Sequence, residues 1–319
     1  MTSLALVDAL ATTGDAFTGR TGNGIDYEIV GPAGAPVVAV LGGISATKHV
    51  TATPSDPRPG WWEAAVGPGR AIDTNTFRVI GIDYLSGANG GSVTTTDQAD
   101  ALAAALDHAH IRQLHAVVGA SYGGMVALAF GAAQRSRVRR LIVISAAHES
   151  DPLATALRHL QRRVVELGST LGRERDALTI ARGIALTSYL TPDYFQERFV
   201  DGDALDSREI EDRIGSYLRD KGEAFADRWT SERYNALSLS LDLHRVRPED
   251  ILVPTTVIAV SSDRLVPIEQ SRQLVSRLGG QGQLIEIDSP FGHDAFLGEA
   301  WRITPFIEEL LDVERRATA

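Results

Sequence analysis

Apolar residues recur along this chain with two different periods. In the first part, short continuous Val/Ile/Leu-rich runs fall at residues 24–30, 36–41, 77–84, 115–119 and 139–145. Such runs mark strands covered on both faces, as in a parallel sheet flanked by helices. Residues 97–108 carry Ala101, Leu102, Ala105 and Leu106 at helical spacing, with Asp97 placed to cap the first turn. A second helical pattern covers 122–134. From about residue 147 to 247 the strand pattern stops. Long helical stretches rich in Arg, Glu and Asp follow at 153–167, 173–190, 207–221 and 231–243. Strand-like runs resume at 254–261 and 283–287, with helices at 268–278 and 294–311. The alternation predicts an α/β protein with a mostly parallel, doubly wound sheet. Residues 1–147 and 248–319 form the sheet domain, and residues 148–247 form a helical lid inserted between its sixth and seventh strands. Such an insertion lies over the carboxyl ends of the strands, where open α/β sheets bind ligands.

Composition narrows the function classes. The chain has 319 residues, 44% of them hydrophobic, which is ample for a sizeable core. Its net charge is −10 and basic residues are dispersed, which argues against a nucleic-acid partner. Cysteine is absent, so disulfides, thiolate metal sites and cysteine nucleophiles are excluded. The stretch 1–24 lacks a basic segment followed by an apolar core, and no run is long and apolar enough to span a bilayer. The expectation is a cytoplasmic protein without a membrane partner.

The chemistry centres on Gly119-Ala120-Ser121-Tyr122-Gly123, which directly follows an apolar strand and opens a helix. Gly-x-Ser-x-Gly in that setting is a nucleophile elbow, in which a sharp turn lifts the serine hydroxyl clear of the sheet. A serine needs a base to take its proton, and the base needs a carboxylate to hold its tautomer. In elbow-bearing folds the acid follows a late strand and the histidine follows the last one. Asp263 ends the run Val257-Ile258-Ala259-Val260-Ser261-Ser262, and His293 sits in the loop after Leu284-Ile285-Glu286-Ile287. Asp288 is too close to His293 in the same loop to fit that order. His49, in an early loop, is either a satisfied structural histidine or a substrate contact. The oxyanion of a tetrahedral intermediate needs two N–H donors. Tyr122 N–H supplies one, and Ile44 or Gly43, after the run Val37–Leu41, supplies the other. No zinc motif appears, and Met125 stands where a P-loop needs lysine, so no metal or prosthetic group is called for.

The resemblance narrows further. Pro59-Gly60-Trp61-Trp62, Val66-Gly67-Pro68-Gly69-Arg70-Ala71-Ile72-Asp73-Thr74, the elbow with Gly124-Met125, Ile180-Ala181-Arg182 with Ser188-Tyr189, Ser261-Ser262-Asp263 and Gly292-His293-Asp294-Ala295-Phe296-Leu297 occur in order across about residues 36–300. Together they resemble the homoserine O-acyltransferases of the α/β-hydrolase superfamily. The resemblance implies acyl transfer, acetyl ahead of succinyl, from acyl-coenzyme A as co-substrate to the side-chain hydroxyl of homoserine in methionine biosynthesis. It implies no other cofactor. It also implies that Arg182 and Tyr189 hold the amino-acid substrate, that Asp294 holds its ammonium group, and that the protein is a homodimer through its lid helices. The chain departs from the family's Gly-Gly-Ser-Met elbow in carrying Tyr122, which is expected to add bulk and a hydroxyl beside the nucleophile. Competing readings are a serine O-acyltransferase, a carboxylesterase or thioesterase, and a non-enzymatic binding module of the same fold.

Overall fold

A computed structural model describes residues 16–22, 24–87, 91–200 and 206–317, without side chains for 313–317. Most of the N-terminal stretch on which the expectation of no leader segment rests lies outside the described residues. The order of elements is β1 (Phe17–Arg20), β2 (Asp26–Val30), β3 (Val37–Leu41), β4 (Val66–Gly67), β5 (Ile72–Asp73), β6 (Arg78–Ile82), α1 (Thr95–His108), β7 (Ala116–Ala120), α2 (Tyr122–Ala133) and β8 (Leu141–Ile144). Then come α3 (Pro152–Thr170), α4 (Glu174–Tyr189), α5 (Pro192–Phe199), α6 (Ser207–Ala226) and α7 (Ser231–Asp242), followed by β9 (Thr255–Val260), α8 (Ile268–Arg277), β10 (Gly282–Ile287), α9 (Ala295–Gly298) and α10 (Thr304–Ala317).

Eight strands form one sheet in the order β1-β2-β6-β3-β7-β8-β9-β10, while β4 and β5 pair separately. Only the β1–β2 and β2–β6 pairings are antiparallel. From β6 onward every pairing is parallel. Alternate side chains of each strand enter two cores. Ala39, Leu41, Val117, Val143 and Val257 meet Leu102, Leu106, Val126 and Phe130 on one face. Val38, Val40, Val118, Ile142, Ile144 and Ile258 meet Ile307 and Leu311 on the other. Burial of both faces explains why these strands are continuous apolar runs rather than alternating ones. The chain winds outward from β3 to β6, then crosses to β7 on the opposite side of β3. That reversal opens a crevice beyond the carboxyl ends of β3 and β7, where such sheets take ligands.

Sequence expectation and structure differ in several elements, the unexpected two-residue strands β4 and β5 among them. The edge strand β1 was not expected, because only alternate residues of Phe17–Arg20 are half-buried and no apolar run marks it. The short α5 likewise lacked a marked pattern. The single helix expected at 294–311 is broken into α9, a 3-10 turn at Ala300–Arg302, and α10. Pro305 explains the restart, since proline is tolerated only in a helix's first turn. At Gly298 a Cβ would come within 2.0 Å of the Phe291 ring, so the chain turns tightly there.

The five helices α3–α7 sit between β8 and β9. α3 packs on α4 and α7, and α4 packs on α6. The chain leaves and re-enters the sheet at adjacent points, with Val246 N–H donating to His148 O at 2.8 Å and Glu149 bridging Arg245. His244 pins this junction. Its Nε2 lies 3.1 Å from Ala147 O and its Nδ1 lies 2.8 Å from Thr95 Oγ1. Burial lowers its pKa to about 3, so it stays neutral. Among the described residues, no helix is long and apolar enough to cross a membrane.

Candidate active site

Ser121 occupies the turn between β7 and α2 with φ 54° and ψ −121°, a conformation costly for any residue with a side chain. The flanking glycines make the turn possible by close approach. A Cβ on Gly119 would lie 2.2 Å from Gly123 O, and one on Gly123 would lie 2.2 Å from Leu41 O. The turn is held by Ser121 N–H to Ile144 O at 2.8 Å and Gly123 N–H to Gly42 O at 2.8 Å. The serine thus stands at the amino end of α2, in the crevice between β3 and β7.

Two further loops converge on it. His293 Nε2 lies 2.8 Å from Ser121 Oγ, and its Nδ1 lies 2.7 Å from Asp263 Oδ2. This fixes the proton on Nδ1 and leaves Nε2 as acceptor. The other Asp263 oxygen accepts the N–H groups of Leu265 at 2.8 Å and Val266 at 3.1 Å. Both side chains are buried. Burial by itself disfavours the imidazolium. The charge and hydrogen bond of Asp263, with the charge of Asp294, outweigh it and hold the His293 pKa above its ordinary value. Asp263, His293 and Ser121 therefore form one continuous hydrogen-bonded chain in which His293 can take the serine proton while Asp263 orients and stabilises the imidazolium.

On the β3 side, the loop Gly42-Gly43-Ile44 borders the same space. Gly43 O accepts from Ala46 N–H at 2.9 Å, and Gly42 O accepts from both Gly123 N–H and the Tyr84 hydroxyl, the latter at 2.7 Å. With both carbonyls engaged by the protein, the attached N–H groups of Gly43 and Ile44 are held in the opposite sense. Among the described residues, neither they nor Tyr122 N–H meets a protein acceptor. Trp61 packs against this loop, since a Cβ on Gly42 would fall 2.7 Å from its ring. Trp61 in turn stacks on Trp62 with centroids 5.3 Å apart.

The Tyr122 side chain is not where the sequence placed it. Its ring is fully buried, edge-on to Tyr84 at 4.9 Å, and its hydroxyl pairs with Ser240 Oγ of α7 at 2.7 Å. The elbow turn aims residue 122 back into the core, so it ties a lid helix to the elbow instead of crowding the serine. His49 proves structural, its ring nitrogens lying 2.9 Å from Glu28 Oε2 and 2.8 Å from Arg58 O.

The roof comes from the inserted helices. A cavity of about 150 Å³ is lined by Ser121, His293, Gly43 and Ile44 below, and by Arg158, Arg182, Tyr189 and Asp294 above and beside them. The Tyr189 ring lies 5.7 Å from the His293 ring, and the Arg182 guanidinium lies 5.5 Å from the Tyr189 ring and 5.6 Å from that of Phe225. Asp294 is buried, which raises its pKa against the lowering influence of Arg182 and His293, and it makes no capping hydrogen bond. The lid is tied to the acid loop by Arg264 Nη2, which donates to Leu190 O at 3.1 Å. It is tied to the histidine loop by Thr191 Oγ1, which donates to Pro290 O.

Sequence reasoning missed Arg158 and Gln161. The available signal was polar residues within the buried stripe of α3, between Ala154 and Val165.

Residues 36–300 match the model of the α/β-hydrolase fold family. A homoserine O-succinyltransferase of Xanthomonas campestris pv. campestris is 44% identical over 89% of this chain and 78% of its own length. The chain belongs to the homoserine O-acyltransferase family of the α/β-hydrolase fold. A homoserine O-acetyltransferase of Thermus thermophilus is 32% identical over 80% of this chain and 72% of that protein. The crystal structure of homoserine O-acetyltransferase from Bacillus anthracis superposes with a TM-score of 0.81 at 19% identity, covering 93% of this chain and 96% of that one. The last likeness concerns the fold alone.

Proposed function

We propose that the protein moves an acyl group from an acyl-coenzyme A thioester to the side-chain hydroxyl of homoserine through an acyl-Ser121 intermediate. The observation that carries this reading is the hydrogen-bonded Ser121–His293–Asp263 chain opening into the same cavity as Arg182, Tyr189 and Asp294. Plain hydrolysis needs only the first group. The second offers a cation and an anion for a zwitterionic amino acid.

His293 Nε2 takes the Ser121 proton as Oγ attacks the thioester carbonyl. The oxyanion is met by Tyr122 N–H and by Ile44 N–H or Gly43 N–H. The C–S bond breaks, and the proton on His293 leaves with the coenzyme A sulfur as a free thiol. Homoserine then binds with its carboxylate on Arg182 and Tyr189 and its ammonium on Asp294. Its hydroxyl gives a proton to His293 while its oxygen attacks the acyl carbon, and collapse returns the proton to Ser121. One nucleophile facing one cavity favours the two substrates using it in turn. Transfer exceeds hydrolysis because the roof limits water and holds the acceptor at the acyl-enzyme. The relatives' names divide between succinyl and acetyl transfer.

A second copy of the chain is proposed to cover α3. Leu153, Leu160 and Leu167 follow at seven-residue spacing, with Leu171 just beyond, and each is more than half exposed.

The test is thiol release from acyl-coenzyme A with and without homoserine, alongside the Ser121→Ala variant. Homoserine is expected to raise turnover at least about 10-fold, and the variant to lose roughly 10⁴-fold or more. Equal release with and without homoserine would replace the transferase by a thioesterase.

A further inference from the structure

Basic residues that are dispersed along the chain converge at the amino-terminal edge of the sheet, the edge opposite Ser121. An open groove of about 540 Å³ lies there, lined by Arg78 at the start of β6, by Arg112 and Gln113 in the loop after α1, and by Arg139 just before β8. Among the described residues no carboxylate lines it. Asp107, near the end of α1, is committed to Arg137 at 2.8 Å.

The three guanidinium groups are short of partners. Arg78 is half-buried, its Nε is shielded from solvent without a hydrogen-bond partner, and burial pushes its pKa below the ordinary value. Arg139 Nε donates to Gln113 Oε1 at 3.0 Å, which anchors that side chain and leaves its Nη atoms without a protein acceptor among the described residues. The backbone adds two further donors. Arg137 takes the carbonyls of Ile111 and Arg112, each at 2.9 Å. In a trans peptide the N–H points opposite to the carbonyl, so Arg112 N–H and Gln113 N–H are both turned away from Arg137. Among the described residues neither meets a protein acceptor.

We propose that this groove binds a small, multiply charged oxyanion of the phosphate class, held by Arg78, Arg112 and Arg139 and by the N–H groups of Arg112 and Gln113. A partly buried guanidinium without a counter-charge is costly, and an anion beside Arg78 offsets that cost. Donors arriving from three separate segments suit a tetrahedral phosphate, which offers oxygens in several directions, better than a planar carboxylate. Free phosphate and the phosphate end of a nucleoside monophosphate share this chemistry. The five residues of β7, roughly 16 Å of strand, separate His115 at the groove from Ser121. A ligand here touches no reacting atom, and the site stands independently of the acyl-transfer reading.

The experiment titrates the full-length protein calorimetrically, in phosphate-free buffer at low ionic strength, with inorganic phosphate, adenosine monophosphate and succinate. Phosphate is expected to bind at one saturable site, at least about 10-fold more tightly than succinate. Arg78→Gln and Arg139→Gln should each weaken phosphate binding roughly 10-fold or more, and Arg78→Lys, which keeps the charge and loses the fork, should weaken it less. Arg135→Gln removes an exposed charge outside the groove and should leave the affinity nearly unchanged. Phosphate should also raise the unfolding midpoint of the native protein and not that of the two glutamine variants. Should Arg78→Gln fail to fold, Arg139→Gln, at an exposed position, carries the test. Adenosine monophosphate binding that is lost in the same variants places a phosphate monoester in the groove; binding that survives them while phosphate binding is lost restricts the groove to the free ion. No saturable phosphate binding overturns the proposal. So does an affinity unaltered in Arg78→Gln and Arg139→Gln, or an equal loss in Arg135→Gln, which is attraction by net charge alone.

Discussion

The sheet and the helices that cover it are built by different rules. In the sheet, β3, β7, β8 and β9 are apolar and buried on both faces, and the chemistry sits in three loops at their carboxyl ends. In the lid, Arg158, Arg162 and Gln161 occupy the inward stripe of α3, while Leu153, Leu160 and Leu167 point outward. Close packing makes the sheet a rigid frame that holds Ser121, His293 and Asp263 within hydrogen-bond reach. The lid places charge over that frame. On the proposed function, the division assigns bond making to the sheet and choice of substrate to the lid.

The sharpest way to break that division is to alter each region and ask which kinetic constant moves. Asp263→Asn should lower turnover about 10⁴-fold whichever acyl donor or acceptor is used, because the imidazole loses its tautomer and orientation. The pH profile gives the same answer in another form. His293 must be neutral to act as base, and Asp263 and Asp294 hold its pKa above 6.5. The acylation rate should therefore climb with pH to a plateau whose midpoint exceeds 6.5, and in Asp263→Asn the residual activity should show a midpoint shifted downward. An upward shift would mean the carboxylate does not govern the imidazole.

In the lid, Arg182→Gln should raise the KM for homoserine roughly 10- to 100-fold, as expected for loss of a charge-assisted hydrogen bond. Formation of acyl-Ser121, measured without homoserine, should fall far less. Equal losses in both half-reactions would put Arg182 in the catalytic frame and erase the distinction. The smallest effect on chemistry is expected from Leu160→Asp with Leu167→Asp on the outer face of α3. Sedimentation should show a dimer becoming a monomer, with the unfolding midpoint of the sheet changed little. A monomeric parent protein would sink the self-association proposal.

Much of the frame could be read from residue order. The runs 36–41, 139–145 and 254–261 each contain an observed strand, 115–119 covers all but the last residue of β7, and Ser121, Asp263 and His293 stand in the loops their order predicted. Those features are legible because a strand buried on both faces leaves a continuous apolar signature, and because an elbow constrains its glycines by contact. The lid helices were legible as helices, but what they place over the site was not. The placement of Arg158 depends on Asp242, 84 residues away. The direction of the Tyr122 ring depends on Ser240, 118 residues away. The break at 298–303 was missed because periodicity continues across it, whereas the tight contact between Gly298 and Phe291 is tertiary.

The junction at His148 and Val246 carries a consequence for how such proteins diversify. A hydrogen bond of 2.8 Å and the adjacent Glu149–Arg245 bridge join the points where the polypeptide departs and returns. The intervening hundred residues are therefore a cassette whose ends already match. Lengthening, shortening or replacing it would leave strand registration intact, so on the proposed function a lineage could exchange its preference for one metabolite over another while inheriting an unaltered acylation machine.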